Sequence, residues 1–349
     1  MTELVGRRLG GFRLGPVENA RRTTTTYRAV AEGRAYLVSV LPHVDDPAVL
    51  AALSEEAHRL TGLNHPNIVS IQATGQEGGY VYLVSEYVGA RRTLADLTPP
   101  MAPQTAVGLI GPLLFALEHA HSSGVIHRDV TPRRVMLPSP VWPMLTDFAV
   151  GRDLVGAFVP AGSVLGTPAY LAPEQAFGQP ADARTDVYST ALVLYELLTG
   201  SAPFAADRSA EVLRRQVYEM PPPLRNYVDI PPELERVVLW ALAKDPPSRP
   251  GSAAEFATSL WAALGQEDTI AIGAASESSP VPQSVPESAD IAVDPLERAY
   301  AAGVSAFAEQ RWEEAVDLLS GVAKVDLDYE DVESLLNAAR SAMDSTSAS

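Results

Sequence analysis

The periodicity of the chain changes once across its first 264 residues, and that change limits the architecture. Residues 13–87 read as short β-type runs, such as 35–41 and 80–84, broken by one helical stretch at 47–60. Residues 103–264 read as helices, with apolar residues recurring every three or four positions over 106–122, 186–199, 209–219, 232–244 and 253–264. The first part reads as a small sheet with one helix and the second as a larger, mainly helical unit. Residues 265–295, rich in Ser, Pro and acid, cannot bury enough apolar area to offset their ordering entropy and read as a flexible linker. Residues 296–343 return to a helical pattern.

Composition removes several functions. With 46% hydrophobic and 20% charged residues, the chain of 349 is not disordered throughout. The net charge of -17 is unevenly spread: residues 1–264 carry -4 and residues 265–349 carry -13. An acidic chain of this kind disfavours nucleic acid and anionic membrane surfaces as partners. The absence of cysteine excludes disulfides, thiol nucleophiles and thiolate metal sites. The first fifteen residues carry Glu3, Arg7, Arg8 and Arg13 and form no signal peptide, and the longest apolar run, near 191–198, is too short to span a bilayer. A cytoplasmic chain without direct membrane insertion is the expectation. Of the 26 basic residues only Lys244 and Lys324 are lysines, so no chemistry in the first 243 residues can use a lysine amine.

Five landmarks then occur in a fixed order: His127-Arg128-Asp129, Asp147-Phe148-Ala149, the run 166–174 ending in Ala172-Pro173-Glu174, Asp186-Val187-Tyr188-Ser189, and Arg249. Together with the upstream Leu63-Asn64-His65-Pro66-Asn67, they resemble the eukaryotic-type Ser/Thr protein kinases, in their bacterial branch. The resemblance covers about residues 10–264 and implies an α+β, bilobal protein-kinase-like fold over residues 1–264, with a small, mainly β lobe over about 10–88 and a large, mainly α lobe over about 89–264, followed here by a linker and an α-helical hairpin.

Phosphoryl transfer needs a backbone cradle for phosphates, a cation on their oxygens, metal ligands and a proton acceptor. Measured against the family pattern, the three cradle glycines are replaced by Asn19, Arg21 and Thr24. The phosphate-gripping lysine position holds Ser39, and Ser85 falls among the remaining nucleotide-pocket positions. Glu56, the helix glutamate that pairs with that lysine, is left to pair with Arg21 or Arg34 or to face solvent. In the catalytic loop Thr131 replaces the lysine and Arg134 replaces the metal-binding asparagine. A guanidinium has no acceptor and cannot ligate a metal. Asp129 survives as the would-be catalytic base and Asp147 as the other metal ligand. The expectation is that Arg134 pairs with Asp147 or with Asp129 and fills the charge niche of the ion. Ala149 replaces a glycine, and alanine disfavours positive φ. Ser163 and Thr167 are the candidate phosphosites of the segment that follows, with Arg128 as the matching receiver. The landmarks that persist are architectural: Glu174 and Arg249 as an ion pair, and Asp186 as the residue that holds the catalytic-loop backbone.

Residues 299–319 are similar to a tetratricopeptide repeat, with Gly303 where the helices approach, Phe307 and Trp312 about the turn, and Ala315 at the crossing. One repeat falls short of the three or so needed for stability alone, so it is expected to dock on the kinase-like domain, a partner or a second copy. Thr269, after Glu267-Asp268 and three residues before Ile272, resembles a phosphothreonine site for a forkhead-associated reader. The functional expectation is a pseudokinase, a signalling scaffold or regulator that binds protein partners and needs no cofactor. Two alternatives stand: a divergent active Ser/Thr kinase using ATP and magnesium, and an inert platform for the repeat.

Overall fold

The computed structural model describes residues 4–21, 23–31, 34–88, 92–150, 167–265 and 311–325, with Leu336, Arg340 and Met343. Ser163 and Thr269, and the first half of the repeat at 299–310, lie outside the described residues. The chain divides into two compact units. The first gathers β1 (Arg8–Leu9), β2 (Phe12–Ala20), most of β3 (Thr25–Ala31) and β4 (Arg34–Val40), and the C-terminal helix that begins at Trp312. Its strands run in the order β1-β2-β3-β4. Phe12 and Tyr36 stack edge to face at 5.3 Å in this sheet.

The second unit spans residues 21–25 and everything described from Ser39 to Gly265. Here the end of β4 continues a sheet with β6 (Tyr80–Glu86) and then β5 (Ile71–Glu77), which pair antiparallel. Helix α1 (Pro47–Leu60) opens on a proper cap: the Asp46 carboxylate accepts from the amides of Ala48 at 2.8 Å and Val49 at 3.4 Å, and Pro47 occupies the first turn. Its buried residues, Leu50, Leu53, Ala57 and Leu60, follow helical spacing.

The helical body is organised about α2 (Pro103–Ser122) and α4 (Ala183–Thr199), which are buried along most of their length. Around them lie the β7–β8 hairpin (Val135–Ser139, Trp142–Leu145), the short α3 (Pro173–Ala176), α5 (Ser209–Tyr218), α6 (Pro232–Ala241) and α7 (Ala253–Ala263). Gly111 lets α2 and α7 approach closely, since a Cβ there would meet the Trp261 ring at 2.8 Å. Helix α4 is capped by Asp182, and it stops at Gly200, whose φ of 90° only glycine adopts readily. The C-terminal helix α8 (Trp312–Val325) buries Ala315 and Leu319. Among the described residues no helix is long and apolar enough to cross a membrane.

Candidate active site

The catalytic loop is held from below by one carboxylate. Asp186, fully buried near the start of α4, accepts from the His127 amide at 2.8 Å, the Arg128 amide at 2.7 Å and the His121 ring at 2.8 Å. Burial alone would raise its carboxyl, but the His121 hydrogen bond, the neighbouring imidazoles and the His127 amide outweigh burial and hold it below the usual range. Burial keeps the His127 imidazole below its ordinary value and therefore neutral. That ring bonds the Thr146 carbonyl at 3.0 Å and lies 4.5 Å from the Phe148 ring. Among the described residues, only Arg128 (φ 65°) and Asp147 (φ 60°) combine a side chain with a positive φ. Such backbone is strained and persists where the surroundings fix it. Both positions belong to this site, whereas Ala149 carries no positive φ and donates its amide to the His127 carbonyl at 3.2 Å.

Three arginines set the charge of the site. Arg134, on the turn Pro132–Arg134, places Nη2 2.5 Å from Asp129 Oδ2, with the two side chains 14% and 8% exposed. Its Nη1 donates to the backbone carbonyl of Asp147 at 3.2 Å. The carboxylate of Asp147 is taken by a different residue, Arg21, whose Nη1 lies 2.9 Å from Oδ2. Of the two pairings open to Arg134, its side chain therefore adopts the one with Asp129. Arg21 stands at a cradle-glycine position, and its own turn is closed by a 2.8 Å bond from its amide to the Thr24 carbonyl.

The third arginine, Arg128, donates to Glu56 of α1 at 2.8 Å. The glutamate bereft of its lysine thus takes its cation from the catalytic loop, not from Arg21 or Arg34. The same bond engages the guanidinium that would otherwise receive a phosphate. The Arg128 carbonyl accepts from Gln175 at 2.9 Å, so α1, the catalytic loop and α3 are tied through one residue. Ser39 and Ser85 sit half-buried on β4 and β6, Asn19 is exposed at the end of β2, and Thr24 is half-buried beside Arg21.

These residues do not fit the magnesium–nucleotide group that phosphoryl transfer requires. A metal needs lone pairs; Arg134 has none, the Asp129 carboxylate accepts from it, and the Asp147 carboxylate accepts from Arg21. A hydroxyl at Ser39 supplies no positive charge for phosphate oxygens.

Farther from the loop, Glu174 and Arg249 form a two-pronged pair, Nη1 to Oε1 and Nη2 to Oε2 both at 2.8 Å, with side-chain exposures of 4% and 0%. Burial opposes the Glu174 charge, but Arg249 and the Thr185 hydroxyl, donating at 2.7 Å, hold the carboxyl below its usual range. Arg249 also donates to the carbonyls of Ala243, Arg184 and Lys244. Thr167 is exposed at the edge of the neighbouring turn Pro168–Tyr170. Sequence reasoning missed the Arg128–Glu56 and Arg21–Asp147 pairs. The signal was available: a chain with no lysine in this region must satisfy both carboxylates from its arginines.

The protein kinase domain model matches residues 23–262. Among curated relatives, the chain is 40% identical over 225 residues to the serine/threonine-protein kinase PknB of Mycolicibacterium smegmatis, an alignment covering 62% of this chain and 36% of that protein. It is 36% identical over 288 residues to the probable serine/threonine-protein kinase SCO3848 of Streptomyces coelicolor, covering 77% of this chain and 42% of that protein. The chain thus spans well under half the length of these relatives. Among solved structures it matches a double mutant of the Mycobacterium tuberculosis PknI kinase domain with a TM-score of 0.59 and 26% identity, covering 75% of this chain and 98% of that one. The ordered landmarks, the bracketed catalytic loop and these matches lead to one assignment: the chain belongs to the protein kinase family, with a β-sheet N-terminal lobe and a helical C-terminal lobe.

Proposed function

We propose that this kinase-family member is a pseudokinase, a signalling scaffold or regulator that works by binding other proteins, with nucleotide binding weak or absent. One observation carries the reading: each of the two retained site aspartates faces an arginine, Asp129 with Arg134 and Asp147 with Arg21. The Asp129 carboxylate that would face the nucleophile's proton is engaged by the Arg134 guanidinium at 2.5 Å. With the lysine positions at Ser39 and Thr131 also neutral, several groups worth about 2–4 kcal/mol each to a phosphoryl transition state are lost together. The architectural bonds of Asp186 and of Glu174–Arg249 support a fold kept for display of its surface. Partners are expected on the kinase-like surface and on the acidic C-terminal region, with Thr269 as a site for a phosphothreonine reader, in the cytoplasm.

A second reading, a divergent active Ser/Thr kinase, rests on the retention of Asp129 and Asp147 and on the two hydrogen bonds with which Asp186 orders the catalytic loop. Labelled ATP with magnesium or manganese separates the two. The scaffold reading expects no label on the chain or on a generic substrate. Label that appears with the wild type and vanishes in Asp129→Asn supports the active kinase. The inert-platform alternative expects no partner retained by residues 1–264 alone.

A further inference from the structure

Lys244 is the one lysine among residues 1–264, and it takes no part in the site described above. It follows α6, half-buried, and its Nζ donates to the Tyr188 hydroxyl of α4 at 3.0 Å and to the backbone carbonyl of Gln216 on α5 at 2.7 Å. The same Nζ lies 4.0 Å from the centre of the Phe204 ring and 5.5 Å from that of Tyr188. An ammonium has three protons, and two acceptors with one ring face account for all of them. The Tyr188 hydroxyl passes the contact on. It donates to Gln216 Oε1 at 2.8 Å, and Gln216 Nε2 donates in turn to the carbonyls of Ala169 at 2.8 Å and Pro168 at 3.4 Å. Tyr188 and Gln216 are both fully buried, so bulk water cannot stand in for a lost partner. The turn Pro168–Tyr170 is thus fastened to α5 by a chain of bonds that begins at Lys244.

Charge around the ammonium is divided. Burial, and then the positive charge of Arg249, lower its pKa from 10.5 to about 7, against the opposing charge of Glu219 at the end of α5. The Arg249 guanidinium lies 4.7 Å from the centre of the Tyr188 ring and is bound to Glu174 of α3. Asp245, next in sequence to Lys244, is exposed and accepts from the Ser248 hydroxyl at 3.2 Å. Burial pushes the Tyr188 phenol up against the charge of Arg249, with Glu174 on the side of burial, so the hydroxyl keeps its proton. That single proton has two claimants: the Gln216 carboxamide oxygen, and the lone pair that Lys244 gains when it loses a proton of its own. An arginine at this position could not pose the choice, because a guanidinium stays charged and offers no lone pair.

We propose that Lys244 is a proton-operated switch for the turn Pro168–Tyr170. While it is an ammonium, the Tyr188 O–H stays on Gln216 and the turn is held to α5. As an amine it accepts the Tyr188 O–H and loses its attraction to the Phe204 ring face. Gln216, deprived of the donor to its Oε1, then loosens its hold on the carbonyls of Pro168 and Ala169. The proton passes from Lys244 Nζ to water, and no covalent bond other than that N–H changes. The switch operates whether or not the chain transfers phosphate, and it makes the order of the segment after Thr167 respond to proton concentration.

The test uses the full chain, produced with lysine carrying carbon-13 at Cε, so that Lys244 and Lys324 give the lysine signals and Lys244→Met assigns them. The Lys244 signal is expected to titrate with a midpoint of about 7. In parallel, hydrogen exchange reads the amides of Tyr170 and Leu171, which bond the carbonyls of Thr167 at 3.0 Å and Pro168 at 3.4 Å. Corrected for the intrinsic pH dependence of exchange, their protection is expected to fall about tenfold between about pH 6 and about pH 8.5, the scale of one buried hydrogen bond. Lys244→Met leaves the Tyr188 hydroxyl to Gln216 at every pH, so protection should stay at its low-pH level. Tyr188→Phe removes the contested proton, and protection should again be independent of pH while Lys244 still titrates. That variant decides the matter should Lys244→Met fail to fold. A Lys244 midpoint above about pH 8.5, on the side of an ordinary lysine, overturns the proposal. So does protection that stays constant across the Lys244 midpoint, or a fall in protection that persists in either variant.

Discussion

Replacing Arg134 with asparagine restores the residue type that the family uses as a metal ligand and removes the guanidinium from Asp129. The two changes pull in opposite directions, and the structure says which wins. Asp129 is 8% exposed, and its carboxylate loses a cation at 2.5 Å. Breaking a buried pair by deleting one partner costs about 3–5 kcal/mol, and the slight exposure of both side chains places this one at about 3 kcal/mol. For a domain of this size each kcal/mol moves the melting temperature by about 2–4 °C, so Arg134→Asn should melt roughly 6–12 °C lower. Magnesium should not restore the loss, because the Asp147 carboxylate remains paired with Arg21. A thermal-melt cycle over wild type, Arg134→Asn, Asp129→Asn and the double variant isolates the pair. The double variant should be more stable than the sum of the single losses predicts, by more than about 1 kcal/mol, since either single change strands a buried group. Strict additivity, or an Arg134→Asn melt within a degree of wild type, refutes the claim that the pair is structural.

Arg249→Lys should cost nearly as much as Arg249→Ala, about 3 kcal/mol or more by denaturant titration, because an ammonium cannot make the two parallel bonds to Glu174. Arg21→Ala should cost under about 1 kcal/mol, since both partners of its pair are about 30% exposed, and the loss should shrink further in high salt. The pH dependence should carry the signature of His65. Burial, and then the charge of His119, lower its imidazole from 6.5 to about 4, and its neutral Nδ1 accepts from the Asn67 amide at 3.1 Å. The unfolded chain binds this proton first, so stability is fully present above pH 6.5, falls as pH drops towards 4, and levels below that. Discounted for the half-exposure of the ring, the loss is about 1–2 kcal/mol, and His65→Gln should flatten that part of a stability–pH curve.

Much of this was legible before any coordinates. Helix α1 is written in Asp46-Pro47 and the spacing of Leu50, Leu53, Ala57 and Leu60, and it starts and stops where the pattern says. Helix α4 was read only from Asp186, three residues late, because its first turn is polar and is specified by the Asp182 cap and not by apolar periodicity. Helix α6 ends at Ala241, three residues before the pattern suggested; beyond it the Arg249 guanidinium donates to the Ala243 carbonyl and the Lys244 ammonium to the Gln216 carbonyl. At the site, the missing lysines at Ser39 and Thr131 could be counted, but the choice of partner for each arginine could not. Arg134 had two carboxylates within the same loop region, and only the turn Pro132–Arg134 decides that its side chain meets Asp129 while touching just the backbone of Asp147. Glu56 and Arg128 are 72 residues apart, and no periodicity links them.

The central claim is that guanidinium groups stand where a kinase of this family holds metal and nucleotide phosphate. It is tested most directly by isothermal titration of the full chain with ATP, in excess magnesium and in chelator. The account predicts no magnesium-dependent binding: the two titrations agree, with either no heat or only weak association. Micromolar affinity that appears with magnesium and disappears in chelator would show that Asp129 and Asp147 can leave Arg134 and Arg21 to hold the ion, and would contradict it.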